Sequence, residues 1–412
     1  MAKITQRSPL APKRFPDLPV VAGARFATLA AGIRYRGRDD LLLLEVAPGS
    51  TVAGVFTRST TAGHPVVWCR EILPAGRARA VIVNAGNANV FRGAEGDAAV
   101  RAEVRAVAEA LDCAPEEVFV ASTGVIGERL PVDRITARAA DLVNGLRADG
   151  IAAAAGAIMT TDTFPKGAAA RCMVGGVPVT LAGIAKGSGM IAPDMATMLA
   201  FVVTDAAMPA PVLQALLGEA TDASFNAITV DSDSSTSDTL LLLATGAGGN
   251  PLVQSMDDPG LADFRRALQG LLLDLAHQVV RDGEGAQKFI AITVEGAVGA
   301  ASARRIGLAI ANSPLVKTAI AGGDANWGRV VMAVGKSGEP IDMARLGVAF
   351  GGHDVARDGA AVAELDEAPV ARHLAGREIA IRVMVGTGSS SATVWTCDLT
   401  HGYIDINADY RS

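Results

Sequence analysis

The sequence predicts an α/β or α+β chain, and three observations carry that expectation. Short apolar runs closed by Gly, Asn or Pro recur along the chain, as strands require. Between them lie longer segments whose apolar residues repeat at helical spacing. The two kinds of segment interleave from end to end, with no repeat and no low-complexity tract.

The elements follow in order. "LLLLEVAPG", "TVAGVFT" and "ARAVIVNAGNANV" read as strands. A helix follows, with Val100, Val104, Val107, Ala108 and Leu111 on one face and Asp97 as its N-cap. "PEEVFVASTGVIG" reads as a strand running into a turn at Thr123-Gly124, and "DRITARAADLVNGL" as a second helix. Strands dominate from Ala169 to Ala185, and "MLAFVVTDA" is another. "PAPVLQALLGEATDASF" is helical. A longer helix covers about Leu261 to Val280. Its stripe is Leu261, Phe264, Leu268, Leu271, Leu272, Leu275 and Val279, and Gly283 is its C-cap.

Composition narrows the function. Half of the 412 residues are hydrophobic, enough for cores in two or three structural units. The net charge of −6 and 4% aromatic content argue against nucleic acid and anionic membrane surfaces as partners. The four cysteines, Cys69, Cys113, Cys172 and Cys397, form no C-x-x-C pair, so they read as small core residues of a reducing compartment. No apolar run approaches the roughly 20 residues of a membrane span. The amino-terminal "MAKITQRSPLAPKRFPDLPV" lacks the apolar centre of a signal peptide. A soluble cytoplasmic protein is expected, with no metal and no cofactor.

The common motifs are missing. There is no Walker loop, no H-E-x-x-H and no G-x-S-x-G, and the five histidines are scattered. "DSDSSTSDT", Asp231 to Thr239, lacks the glycine and glutamate of a calcium loop and reads as a polar loop with side-chain-to-backbone bonds.

One stretch asks for chemistry. In "KGSGMIAPDMATMLAF", Lys186 to Phe201, the hydroxyl of Thr197 stands between a glycine-rich polar loop and an apolar run. A threonine hydroxyl is a weak nucleophile unless a base adjoins it, and a free α-amine on the same residue is one such base. That amine has a reference pKa of about 7.7–8.0. An internal threonine gains one if its hydroxyl attacks the preceding carbonyl, the acyl group moves from nitrogen to oxygen, and water cleaves the ester. Ala196 leaves room for that attack, and "LAFVV" suits a buried strand behind the new terminus. Most Ala-Thr pairs are structural, so spacing alone only raises the possibility.

The stretch resembles the self-cleavage segment of the ornithine acetyltransferase (glutamate N-acetyltransferase) family. "VNAGNANV", "STGVIG", "IMTTDTFPK", "DGEGAQKF", "NSPLVKTAI", "NWGR", "AVGKSG" and "WTCDLTHGYIDINADYRS" follow the family's order over nearly the whole chain. The resemblance implies the family's α/β fold, with mixed sheets, helices packed on them and N-terminal-nucleophile chemistry. It implies a cut between Ala196 and Thr197 into an α chain, residues 1–196, and a β chain, residues 197–412. The two chains would share sheets and assemble as an α2β2 heterotetramer. Thr197 would take acetyl from N-acetylornithine and pass it to glutamate, a ping-pong reaction of arginine biosynthesis.

The resemblance also implies the site. Thr123 and Gly124 match the oxyanion hole. Thr160, Lys186, Thr197, Glu284, Asn407 and Ser412 match substrate-binding positions. Thr161 and Thr163 stand beside Thr160 and leave open which of them touches substrate. Lys186 is a reasonable anchor for a carboxylate, although most lysines lie on the surface. Glu284 is a natural partner for an ammonium group. Two positions depart from the family pattern: Ser232 where glycine is usual, and Ala325 where proline is usual.

Two other readings stand beside this one. A β-aminopeptidase would cut itself at a serine and pass the acyl group to water; Thr197 favours the transferase. An uncleaved amino-acid-binding regulator would keep Thr197 as a strand residue, and a denaturing gel separates the two. Acetyl-CoA is a second donor in some members of the family. The chain shows no recognisable phosphate-binding loop, and no feature decides this point.

Overall fold

The computed structural model describes residues 6–192 and 198–408. Ala196, Thr197 and Ser412 lie outside the described residues. The chain forms two compact units, one of residues 13–226 and 233–279, the other of residues 1–12, 227–232 and 280–412. Each is mixed α/β, and three sheets are found among the described residues.

In the larger unit, the first sheet contains β1 (Ala24–Leu29), β2 (Leu41–Val46), β4 (Ala80–Asn87) and β5 (Val118–Val125), in that order. β4 and β5 are parallel and the other pairs antiparallel. The second sheet runs β3 (Thr51–Phe56), β9 (Thr239–Ala244), β8 (Leu199–Thr204), β7 (Val177–Lys186), β6 (Lys166–Val174). Its β8–β9 pair is parallel and its other pairs antiparallel. The helices are α1 (His64–Ile72), α2 (Ala94–Leu111), α3 (Asp133–Thr136), α4 (Ala139–Asn144), α5 (Ile151–Ala157), α6 (Ala210–Asp222) and α7 (Ala262–Arg281).

The apolar run of β2 is explained by burial on both faces. Leu42 and Leu44 join Val66 and Cys69 of α1, Ile151 and Ala154 of α5, and Phe201 and Leu241 of the second sheet. Leu41 and Leu43 face the opposite way, against Val100, Val104 and Val107 of α2. The period of two along the strand thus feeds two cores. The predicted stripe of α7, from Leu261 to Val279, is buried throughout.

Several expectations need correction. α2 begins at Ala94, so Asp97 lies inside its first turn, and its carboxylate pairs with His64 Nδ1 at 2.7 Å. The single helix expected over "DRITARAADLVNGL" is two, because the Arg138 N–H turns to Ile135 O in a tight three-residue step. Gly283 follows α7 but is no left-handed cap. Its N–H donates to Val280 O at 3.0 Å, and a Cβ there would stand 2.7 Å from Cys397 Sγ. Cys69 and Cys397 are core residues, whereas Cys113 and Cys172 are only half-buried; all four are free.

β7 and β8 lie side by side, with Lys186 opposite Leu199. Residues before position 196 and after position 197 therefore contribute neighbouring strands of one sheet. The junction falls inside the larger unit.

The smaller unit has one sheet, in the order β13 (Ala360–Ala361), β12 (His353–Arg357), β11 (Gly347–Phe350), β14 (Glu378–Met384), β10 (Phe289–Ala297), β15 (Ser390–Cys397). β10 and β14 are parallel. Its helices are α8 (Ala300–Ala311), α9 (Pro314–Ala321), α10 (Trp327–Lys336), α11 (Glu367–Leu374) and α12 (His401–Ala408). Ile290, Ile292 and Val294 meet Ile306 and Ile310 of α8 on the covered face. The other face is polar, where Thr293 and Thr393 pair at 3.0 Å and Arg382 meets Asp354 at 2.9 Å. Ser232 takes a left-handed φ of 66°, a conformation that the family's usual glycine adopts without steric cost. Ala325 precedes α10, whose start is capped by the Asn326 side chain.

Among the described residues no helix is long and apolar enough to cross a membrane. One buried group predicts an unusual pH response. Glu103 of α2 is fully buried, and neither carboxyl oxygen has a hydrogen-bond partner among the described residues. Burial pushes its pKa up to about 8. Above the ordinary carboxyl range the folded form holds a proton that the unfolded chain gives up. Stability then falls by about 1.4 kcal/mol per pH unit until the folded group ionises. Glu103→Gln is expected to remove this contribution, so that urea unfolding at pH 5 and pH 8 shows the variant gaining on the wild type as pH rises.

Candidate functional site

β5 does not end at Thr123-Gly124, as the expected turn would require. The strand continues to Val125, and Thr123 lies opposite both Ala85 and Asn87 across an irregularity in its pairing with β4. Gly124 takes a φ of 133°, and a Cβ there would stand 2.3 Å from the Gly86 carbonyl carbon. No other residue type fits this approach. The irregularity falls at the end of the β4–β5 ladder, where Thr123 and Gly124 lie.

Lys186, the last residue of β7, is 2% exposed, unlike the surface lysine that residue type alone suggests. Its Nζ donates to Thr123 Oγ1 at 3.2 Å. The threonine oxygen accepts from a cation, so its own O–H is left to donate and is strengthened by polarisation. That is the property an oxyanion donor needs.

Asp162, which the sequence reading did not single out, organises this region. Its Oδ1 accepts from Lys166 Nζ at 2.6 Å and from the Gly187 N–H at 2.7 Å; its Oδ2 accepts the Thr160 N–H at 3.0 Å. One carboxylate thus fixes the backbone of Thr160 and the backbone just after Lys186. Both side chains of the Asp162–Lys166 pair are wholly buried. Burial would push the Asp162 carboxyl up. The charges of Lys166 and Lys186 and the hydrogen bonds outweigh it and hold the pKa well below the usual carboxylate range. The signal for this residue was an acid four residues before a lysine in "TTDTFPK".

The polar loop before β9 behaves as its composition suggested. The Ser237 N–H donates to Ser235 Oγ at 3.0 Å, and Thr239 Oγ1 donates to Ser237 O at 3.2 Å. Its last acid, Asp238, is completely buried and accepts the Met198 N–H at 2.9 Å. The sequence reading passed over it too.

Glu284 and Asn407 belong to the smaller unit and meet there. Asn407 Nδ2 donates to Glu284 Oε2 at 2.7 Å and to Tyr403 O at 3.0 Å. The turn after α7 makes this possible. Gly285 has a φ of 75°, and a Cβ there would lie 2.4 Å from Tyr403 N, so α12 can start directly against it. Thr400 Oγ1 donates to Gly285 O at 2.7 Å and accepts the Gly402 N–H at 3.1 Å, which ties the start of α12 to the turn. Among the described residues no three His, Cys, Asp or Glu side chains are grouped to hold a metal.

Asp162→Asn is expected to destabilise the fold by about 3–5 kcal/mol, because it leaves Lys166 as a buried cation without its carboxylate. Chemical denaturation measures this, and a loss well below that range would contradict the account. The native pKa of Asp162 is lowered, so its contribution is complete above the unfolded carboxyl value. It fades only as pH falls through the lowered one.

The family model and the curated relatives point to one family. The ArgJ family matches residues 25–412. The arginine biosynthesis bifunctional protein ArgJ of Gluconobacter oxydans is 59% identical, covering 100% of this chain and 97% of that protein. The protein of the same description from Brucella suis is 54% identical, over 98% and 99% of the two chains. A solved structure of arginine biosynthesis bifunctional protein ArgJ from Bacillus halodurans is 38% identical, covering 51% of this chain and 98% of that one with a TM-score of 0.49. With a family match over nearly its full length and relatives more than half identical, the chain belongs to the ArgJ family.

Proposed function

We propose that the chain is a glutamate N-acetyltransferase of arginine biosynthesis, moving acetyl from N-acetylornithine to glutamate through an acetyl-threonine at Thr197. Membership of the ArgJ family supports the reaction. The buried Lys186–Thr123 bond beside Gly124 is the observation that best supports the mechanism.

The chain first cuts itself between Ala196 and Thr197, giving the α chain 1–196 and the β chain 197–412. Thr197 then carries an α-amine and a hydroxyl. The amine takes the hydroxyl proton as Oγ attacks the acetyl carbonyl of N-acetylornithine. Negative charge that develops on the carbonyl oxygen meets the Thr123 O–H, polarised by Lys186, and the Gly124 N–H. Ornithine departs, glutamate attacks the acetyl ester, and N-acetylglutamate leaves. Glu284, oriented by Asn407, is the carboxylate for a substrate ammonium group. Lys186 and Thr160, both held through Asp162, serve the substrate in the larger unit. Ser412 completes the set, and the pair of chains assembles as α2β2. No cofactor or metal takes part, and the reaction proceeds in the cytoplasm.

A denaturing gel tests the cut. Active wild-type protein should give two chains, and Thr197→Ala a single uncut band with no transfer. A single full-length band in active wild type, or a cut that persists in Thr197→Ala, would refute the nucleophile. Ornithine release that runs on without glutamate would favour a hydrolase instead. Thr123→Val keeps the shape and removes the hydroxyl, so kcat should fall by about 10²–10³ with KM little changed.

The name "bifunctional" borne by the curated relatives favours a second activity, acetylation of glutamate from acetyl-CoA at the same Thr197. Purified wild type given acetyl-CoA and glutamate should form N-acetylglutamate, and Thr197→Ala should not. No product from the wild type would leave acetylornithine as the donor.

A further inference from the structure

The loop between β1 and β2, residues 30–40, has no part in the roles above. It lies against the end of the first sheet that carries Thr123 and Gly124. A Cβ on Gly86 would stand 2.7 Å from Arg34 Cβ and 3.3 Å from Tyr35 Cε2. Gly86 is the residue opposite Gly124 in the β4–β5 ladder. The same loop reaches the neighbour of Thr160: Arg38 Nη2 donates to the carbonyl of Met159. One segment thus borders both the proposed oxyanion pair and a proposed substrate-binding position.

The loop carries three arginines and two acids, and the acids hold the loop itself. Asp40 is 0% exposed and accepts the N–H groups of Ala31 at 2.7 Å, Gly32 at 3.2 Å and Ile33 at 2.7 Å. Asp39 Oδ2 accepts the Thr28 hydroxyl at 2.6 Å. The arginines are placed differently. Arg34 pairs with Glu128 at 2.8 Å. Arg36 is exposed, and no hydrogen bond or ion pair to it is found among the described residues. Arg38 has only neutral partners: the carbonyls of Met159 and Asp39, and the Tyr35 ring at 4.1 Å. Arg134, exposed on α3, adds a guanidinium that donates to Gly32 O.

We propose that this loop, through Arg36 and Arg38 with Arg134 beside them, binds the phosphate groups of acetyl-CoA. The inference rests on the acetyl-CoA activity proposed above. N-acetylornithine and glutamate bring carboxylates, for which Lys186 is already the proposed partner. Acetyl-CoA brings a diphosphate and a 3′-phosphate, at the far end of a flexible arm from its thioester. A donor whose acetyl group meets the Thr123–Gly124 pair leaves that end outside, where the loop borders the site.

The residue types and the space agree. A guanidinium stays charged at every working pH and meets phosphate oxygens through two parallel N–H bonds. Gly37, between Arg36 and Arg38, has a φ of 75°, and a Cβ there would meet nothing within 4 Å. A ligand can therefore approach the loop between the two arginines. A chain of net charge −6 repels a polyanion on average, so a local cationic site is what admits it. The bonds from Asp40 hold the loop in shape before the ligand arrives, which lowers the ordering cost of binding.

Arg36→Glu tests this, since the change breaks no hydrogen bond or ion pair among the described residues. Glutamate is acetylated from three donors in turn: acetyl-CoA, N-acetylornithine, and the acetyl thioester of N-acetylcysteamine, which has no phosphate. Arg36→Glu should raise KM for acetyl-CoA by about tenfold or more, and Arg36→Ala by a smaller factor. KM for the other two donors should stay within about twofold. Added salt should raise the wild-type KM for acetyl-CoA and leave that for the phosphate-free thioester in place. An acetyl-CoA KM within about twofold of wild type in Arg36→Glu overturns the inference, as does an equal rise with the phosphate-free thioester. A site for free phosphate overturns it too: transfer from N-acetylornithine would then respond to inorganic phosphate in the wild type and not in Arg36→Glu. Each of these results leaves the acetyl-CoA activity standing. A wild type that makes no N-acetylglutamate from acetyl-CoA overturns that activity and the inference with it.

Discussion

The carboxylate of Asp162 is the point on which the buried polar network of the larger unit turns. Taking an ion pair out of water is costly, and Asp162 and Lys166 are both wholly buried. The cost is offset by satisfying the same carboxylate three times, with Lys166, the Gly187 N–H and the Thr160 N–H. The result is order where a glycine-flanked segment would otherwise be loose. Lys186 leaves β7 with its backbone pinned and its ammonium on Thr123. A charge placed in low dielectric acts strongly on what it touches, which is the use made of Lys186 here.

The same economy governs the junction at which the cut is proposed. β7 and β8 are hydrogen-bonded neighbours, and β9 lies on the far side of β8. A new chain end made between β7 and β8 would be retained by ladders on both sides. The two products would therefore be held by one sheet. Every residue of β8 is buried, so a cut before it would leave the strand in place.

The sequence made some of this legible. The strands from Leu41 to Val46 and from Leu199 to Thr204 and the stripe of α7 follow from hydrophobic pattern, because burial on known periods leaves a direct trace. Thr123, Gly124, Lys186, Glu284 and Asn407 were named through resemblance, not through spacing. Asp162 and Asp238 escaped notice because a buried acid and a solvated one look alike until their partners are known. The break at Arg138 and the early start of α2 were missed for a related reason: local propensity places helix ends only loosely, and tertiary contacts such as the His64–Asp97 pair fix them.

What the sequence determined by itself was the class of elements and the family, and through the family which residues are expected to carry chemistry. These depend on order along the chain. What only the tertiary structure decided was which of those residues meet. Thr123 and Lys186 are 63 positions apart and Glu284 and Asn407 are 123 apart, and each pair is within hydrogen-bond reach. Contact at such separation is set by strand register, by glycines that admit close approach at 124 and 285, and by buried charge that must find a partner. None of these is a property of a short stretch of sequence.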